Sequence, residues 1–108
     1  MKIAILHCRN ASDICTGAAC LKAFRQNLKS FAQYRDQPSE LIAFFDCGGC
    51  EIDLETNLGM AEKMERLKVE GVEKIHIGIC VNPQKCPHYR EIIMLLEQYG
   101  IPYELGTH

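Results

Sequence analysis

The sequence has no excess of charge of either sign, no long hydrophobic run and no repeat, and each absence removes a class of function. Its 108 residues carry a net charge of −2, with the 12 lysines and arginines scattered along the chain rather than gathered in a stripe. That leaves no electrostatic footprint for nucleic acid or for an anionic membrane surface. No apolar run exceeds six residues, too short for a membrane span or a signal-peptide core. Met1 leads straight into a predicted strand, so no targeting segment is expected ahead of the fold and the expected compartment is the cytoplasm. Low-complexity tracts and linkers are missing too, and the length suits one domain over residues 1–108.

Two kinds of phosphate chemistry are also missing. Gly48-Gly49 is too short to match any glycine-rich nucleotide loop. Cysteine phosphatases and arsenate reductases need an arginine six residues after the nucleophile, in a loop that cradles the oxyanion. Here the sixth residue after Cys8 is Ile14, after Cys47 it is Asp53, and after Cys80 it is Cys86. No general acid/base pair stands out either. Asp46 beside Cys47 and Asp13 near Cys15 read as loop or capping residues.

What the chain has is cysteine, seven of them. In a reducing compartment thiols more often bind metal or do redox chemistry than staple a fold, and an odd count argues against a closed disulfide framework. Their placement follows from the elements. Residues 2–7, 40–45 and 74–79 are nearly continuous apolar runs, as expected of parallel strands buried on both faces. Residues 102–105 read as a short edge strand opening on Pro102. Between the strands the apolar spacing becomes helical. Leu21, Phe24, Leu28 and Phe31 form the first stripe, with Thr16 as cap and residues 33–39 as the following loop. Leu58, Met60, Ala61, Met64 and Leu67 form the second, stopped by Gly71. The third has Pro87 in its first turn, then Tyr89, Ile92, Ile93, Leu96 and Tyr99, and ends at Gly100.

This alternation predicts an α/β fold: a small open parallel sheet of about four strands with helices on both faces, a flavodoxin- or Rossmann-like three-layer arrangement. The first strand is expected inside, flanked by the second and third. Loops leaving the C-terminal ends of such strands open on one edge, where ligands bind. Cys8, Cys47, Cys50, Cys80 and Cys86 all fall in those loops. Soft thiolates gathered there suit zinc, copper(I) or an iron–sulfur cluster.

Cys47-Gly48-Gly49-Cys50 is the sharpest motif. Two intervening residues let both sulfurs reach one metal, and the glycines permit a tight turn with positive φ and leave N–H groups for the thiolates. Cys80 and Cys86 form a second pair, with Cys86 placed by Pro87 at the cap of the third helix, where the dipole favours a thiolate. His88 is a candidate imidazole ligand. Cys15 and Cys20 flank the start of the first helix, and Cys20 has packing beside Phe24 as its alternative. His108 can fold back over the site or fray. His76 within the third strand reads as core, and His7 points to the face opposite Cys8. Neighbouring strands lie about 4.8 Å apart, so ends of adjacent strands can share a metal.

With this motif in the middle and cysteines after strands one and three, the chain resembles the CGGC domain family. Cys8, Cys15-Thr16-Gly17-Ala18-Ala19-Cys20, Cys80, Cys86-Pro87 and Gly106-Thr107-His108 carry the likeness beside the motif itself. The resemblance implies metal binding, with zinc suggested by the many cysteines and histidines. The leading expectation is therefore a soft-metal protein, zinc first and an iron–sulfur cluster second, with a metal ion as partner and no protein partner indicated. The expected core ligands are Cys47, Cys50, Cys80 and Cys86, with Cys8 and Cys15 next, His88 as an extra, and Cys20 and His108 also in the candidate set. The alternative is a thiol–disulfide oxidoreductase using Cys47 and Cys50. Against it, Glu51, Ile52 and Asp53 separate the motif from the second helix, and the acids raise a thiolate's pKa.

Overall fold

A computed structural model describes residues 1–51, 53 and 58–108; Ile52 lies outside them. Four parallel strands form one sheet: β1 (Lys2–His7), β2 (Glu40–Asp46), β3 (Lys74–Ile77) and β4 (Tyr103–Leu105), in the order β2-β1-β3-β4. The first strand is thus internal, with the second and third on either side, as the alternation predicts. Three helices connect them: α1 (Ala18–Arg25), α2 (Gly59–Val69) and α3 (Tyr89–Gln98). Among the described residues, no helix is long and apolar enough to cross a membrane.

Strand periodicity sorts the core into two layers. Ile3 and Ile5 of β1 face α1, packing with Cys20, Ala23, Phe31 and Tyr34. Ala4 and Leu6 face the other way, joining Met60, Met64 and Leu67 of α2 and Ile92 and Leu96 of α3. Each fully buried isoleucine or leucine contributes about 2 kcal/mol of transfer free energy, so both layers are needed. A register shift opposite Ile3/Ala4 skips Ile42 in the edge strand β2. After this bulge, Ala43 and Phe45 pack with the α2/α3 layer and Phe44 turns to the opposite face, where its ring stacks on His7 at 4.5 Å.

Four local expectations need correction. The first amphipathic stripe is not one helix: α1 stops at Arg25, Asn27 and Lys29 take positive φ, and Phe31 sits in a separate 3-10 helix, Lys29–Tyr34. Phe24 and Phe31 still pack in the same layer, which is why the spacing reads as continuous. The residue flanking α1 is Gly17, in left-handed conformation, while the Thr16 hydroxyl accepts only the nearby Ala18 N–H at 3.2 Å. Pro87 precedes α3 instead of occupying its first turn, and His88, not Cys86, flanks that helix. Finally, β3 ends at Ile77, although the Gly78 N–H still bonds the Leu6 carbonyl of β1 at 2.8 Å. The stops at Gly71 and Gly100 hold. At Gly71 (φ 82°), its N–H bonds the Lys68 carbonyl and that of Val72 bonds Leu67, a paired closure that favours glycine.

His76 is fully buried in β3, as a core residue. Ser30 Oγ lies 2.9 Å from its Nδ1 and Tyr34 OH 2.7 Å from its Nε2. Burial drives its pKa down to about 4, against the opposing pull of the Glu104 carboxylate and with help from Lys74. The neutral ring therefore belongs to the folded state, while the unfolded chain takes up a proton below about 6.5. Stability is complete above that pH and falls as acid is added down to about pH 4, by about 3 kcal/mol in all. Urea denaturation from pH 7 to 4 should show this loss in the wild type relative to His76→Gln; parallel profiles would contradict it.

Candidate metal centre

The sheet order creates the site. From β1 the chain goes to β2 on one side, then crosses to β3 on the other, with α1 on one face and α3 on the opposite one. Loops leaving β1 and β3 diverge to opposite faces, and a crevice opens outside their C-terminal ends. Here it is a cleft of about 800 Å³ whose walls include Cys8, Cys15, Cys20, Cys50, Cys80 and Cys86. His108 and the apolar side chains of Ile14, Ile79 and Phe44 also line it. Cys47 is the exception, buried behind the cleft in the α2/α3 layer. His88 does not line it.

Backbone and side-chain donors point at the sulfurs. The Cys8 N–H donates to Cys80 Sγ at 3.1 Å, joining the ends of β1 and β3. Asn10 Nδ2 donates to Cys50 Sγ at 3.2 Å across the ends of β1 and β2, and the Gly17 N–H reaches Cys15 Sγ at 3.4 Å. Such donors stabilise a thiolate or a metal-bound sulfur. At Gly78 an added Cβ would lie 3.2 Å from both Cys80 Sγ and the Leu6 carbonyl oxygen, so glycine lets β3 bring its cysteine against β1.

The CGGC turn is held differently from expectation. Both glycines have positive φ, 103° and 112°, but the Gly48 N–H is taken by Asp46 Oδ1 at 2.7 Å rather than by a thiolate. Asp46 also pairs with Lys63 of α2 at 3.1 Å. Burial pushes the Asp46 carboxyl up, but Lys63 and the Gly48 N–H outweigh it and hold the pKa below the usual value. Arg9 Nη1 donates to the Gly48 carbonyl at 2.8 Å, clamping the turn from the β1 side.

His88 Nε2 lies 2.9 Å from the Cys50 carbonyl, so it carries the proton and leaves only Nδ1 as a ligating atom. His108 does fold back: its Nδ1 is 3.5 Å from Cys20 Sγ and 3.0 Å from the hydroxyl of the buried Thr107. Cys20 both packs in the α1 layer and meets Thr107 Oγ1 at 3.0 Å. Sequence reasoning missed Arg9, Asn10 and Lys63, whose partners are 17 or more residues away, and gave Thr107 no role beyond the family likeness. Gly78 was the one local signal, a lone glycine within an apolar run.

The thiols feel one another. Burial raises the Cys86 pKa, the His88 N–H lowers it, and Cys47, Cys50 and Cys8 raise it further. Burial likewise raises Cys50, followed by Cys8, Cys47 and Glu51, against the Asn10 amide. Cys20 is raised by burial, relieved by Thr107 and raised again by Cys80 and Cys15. A metal cation would reverse this repulsion, and the donor set is the soft one that zinc accepts. Among the described residues, though, no group of three or more His, Cys, Asp or Glu side chains stands arranged to hold an ion. The chemistry of the donors fits; their side chains must turn in from the walls of a wide cleft.

The CGGC domain profile matches residues 2–108. The chain belongs to that family. It is also 35% identical to an uncharacterized protein of Methanocaldococcus jannaschii, over all of this chain and 87% of that relative. No solved structure matches it. As a CGGC domain, the protein places its signature turn at the end of β2, beside the crevice between β1 and β3.

In reduced, metal-free protein the Cys20, Cys50 and Cys86 thiols are expected to alkylate slowly at neutral pH, with rates still climbing past about pH 9. Mass spectrometry of site-resolved alkylation checks this. Half-maximal rates below about pH 8 at all three would contradict it.

Proposed function

We propose that this CGGC domain binds a soft metal ion, zinc first, through Cys8, Cys47, Cys50 and Cys86. The observation that supports it is the gathering of six of the seven cysteines, Cys8, Cys50 and Cys86 among them, on one cleft at the edge of the sheet; Cys47 lies behind that cleft and joins the set through the CGGC turn it shares with Cys50. Packing alone does not ask for that gathering, since a small buried hydrophobe serves equally well anywhere in a core. After burial, the thiols of Cys47, Cys50 and Cys8 raise the Cys86 pKa, so thiols from the ends of β1 and β2 bear on the segment before α3. Four thiolates make an all-cysteine zinc set. Turning the side chains inward costs little against the roughly 10 kcal/mol or more that a structural zinc supplies. Zinc bound there would offset part of the thiolates' charge, fix the Cys47–Cys50 turn and leave no redox chemistry on the metal.

The dithiol reading is weaker on this geometry. Cys47 is only 8% exposed, too enclosed for a nucleophile that must attack a partner's disulfide. The Cys50 thiol is pushed up rather than down, and α2 begins at Gly59, well past the motif.

Untagged protein purified anaerobically and measured for metal per chain tests the reading. Zinc should be retained in a colourless protein, and Cys47→Ser or Cys50→Ser should lower its content by more than half. Unchanged stoichiometry in both variants would overturn the ligand assignment. Iron with sulfide and a brown absorption band would replace zinc with a cluster. Insulin reduction at the uncatalysed rate is expected, and a rate well above it would favour the dithiol.

A further inference from the structure

The lysines and arginines are spread along the chain, but the acids are not. Residues 1–39 hold six of the 12 basic residues and only two of the 14 acidic ones, so the negative charge lies in the remainder. Within that first stretch, the end of α1 and the segment leading into β2 enclose a depression of about 530 Å³. Pro38, which lines it, has its carbonyl bonded by the Met1 ammonium at 2.7 Å. The depression therefore sits at the edge where β1 and β2 begin, away from the cysteine cleft at their far ends.

Arg25, the last residue of α1, and Arg35 both line this depression. Asp36 lines it too, yet among the described residues no carboxylate pairs with either arginine. The Arg35 Nε–H bonds the Asn27 carbonyl at 3.4 Å, which orients the guanidinium and leaves its two Nη groups for a ligand. Phe24 supplies an apolar wall, held edge-to-face by Phe31 with ring centroids 5.7 Å apart. A cation in the last turn of α1 complements the helix dipole, and Lys22 also serves there. The dipole gives no reason for Arg35, which comes from a separate segment.

We propose that this depression binds a small organic phosphate monoester, at a site distinct from the metal centre. A guanidinium is planar and always charged, and its fork of donors matches phosphate oxygens two at a time. Two guanidiniums suit a dianion, and a phosphate monoester carries close to two negative charges at neutral pH. The volume falls in the range of about 300–1,000 Å³ typical of pockets for organic ligands. It exceeds what a bare phosphate fills, so the organic body rests on Phe24. Asp36 opposes an anion there, which gives its replacement a definite sign.

The test is calorimetric titration of the full chain with phenyl phosphate at low ionic strength. Binding is expected, and it should weaken as salt is added. Arg25→Ala and Arg35→Ala, both at exposed positions, should each weaken it about tenfold or more, whereas Asp36→Asn should tighten it. Arg35→Ala lies outside α1 and carries the test if loss of Arg25 disturbs the helix. Lys85→Ala, on the cysteine cleft, should bind as wild type does. Benzoate, a ring with a single charge, and inorganic phosphate, a charge without a ring, should both bind more weakly. No binding of phenyl phosphate, or binding that Arg35→Ala leaves unchanged, would overturn the site. Equal affinity for benzoate would overturn the dianion, and equal affinity for inorganic phosphate would overturn the organic body.

Discussion

Everything about the site depends on where β1 sits. It is an internal strand of the sheet, bonded to β2 on one side and β3 on the other. The chain leaves it toward one face of the sheet and leaves β3 toward the other, so the loops cannot cover the gap between them. Cys8 and Cys80 lie at the two lips of that gap, tied by an N–H···S bond of 3.1 Å. Cys50 arrives next to them because β2 is the neighbour on the other flank, while Cys47 of the same turn is buried behind the cleft. Burying Ile3, Ala4, Ile5 and Leu6 completely on both faces fixes β1, and with it the site.

The fold was legible because its periodicities were clean. Apolar runs alternating with helical stripes leave little choice but a parallel sheet, and the glycines at 71 and 100 end helices in the way sequence suggests. The break after α1 was not legible. Asn27 and Lys29 take left-handed backbone although neither is glycine, and Phe31 keeps its place in the stripe by way of a 3-10 helix. Tertiary packing of Phe31 and Tyr34 around His76 overrides local preference there.

The site was legible as a set of residues and not as an arrangement. Strand ends locate Cys8, Cys47, Cys50 and Cys80 without any structure. Nothing local says that Cys47 turns into the core, that His88 is engaged by the Cys50 carbonyl, or that His108 returns to Cys20. The two histidine contacts join residues 38 and 88 positions apart in sequence, which a linear pattern does not carry. The Gly48 N–H is the instructive case: its donor was free in principle, but a carboxylate two residues away is a stronger acceptor than a thiol.

Burial first, and neighbouring thiols after it, hold the Cys20, Cys50 and Cys86 thiols above their ordinary pKa. With a metal cation, deprotonation becomes part of binding and protons are released as sulfur replaces solvent around the ion. The central claim is that sulfur is what surrounds the metal. X-ray absorption at the zinc edge of anaerobically purified protein tests this directly. The account predicts a first shell dominated by sulfur at about 2.3 Å. A shell of oxygen and nitrogen alone would contradict it.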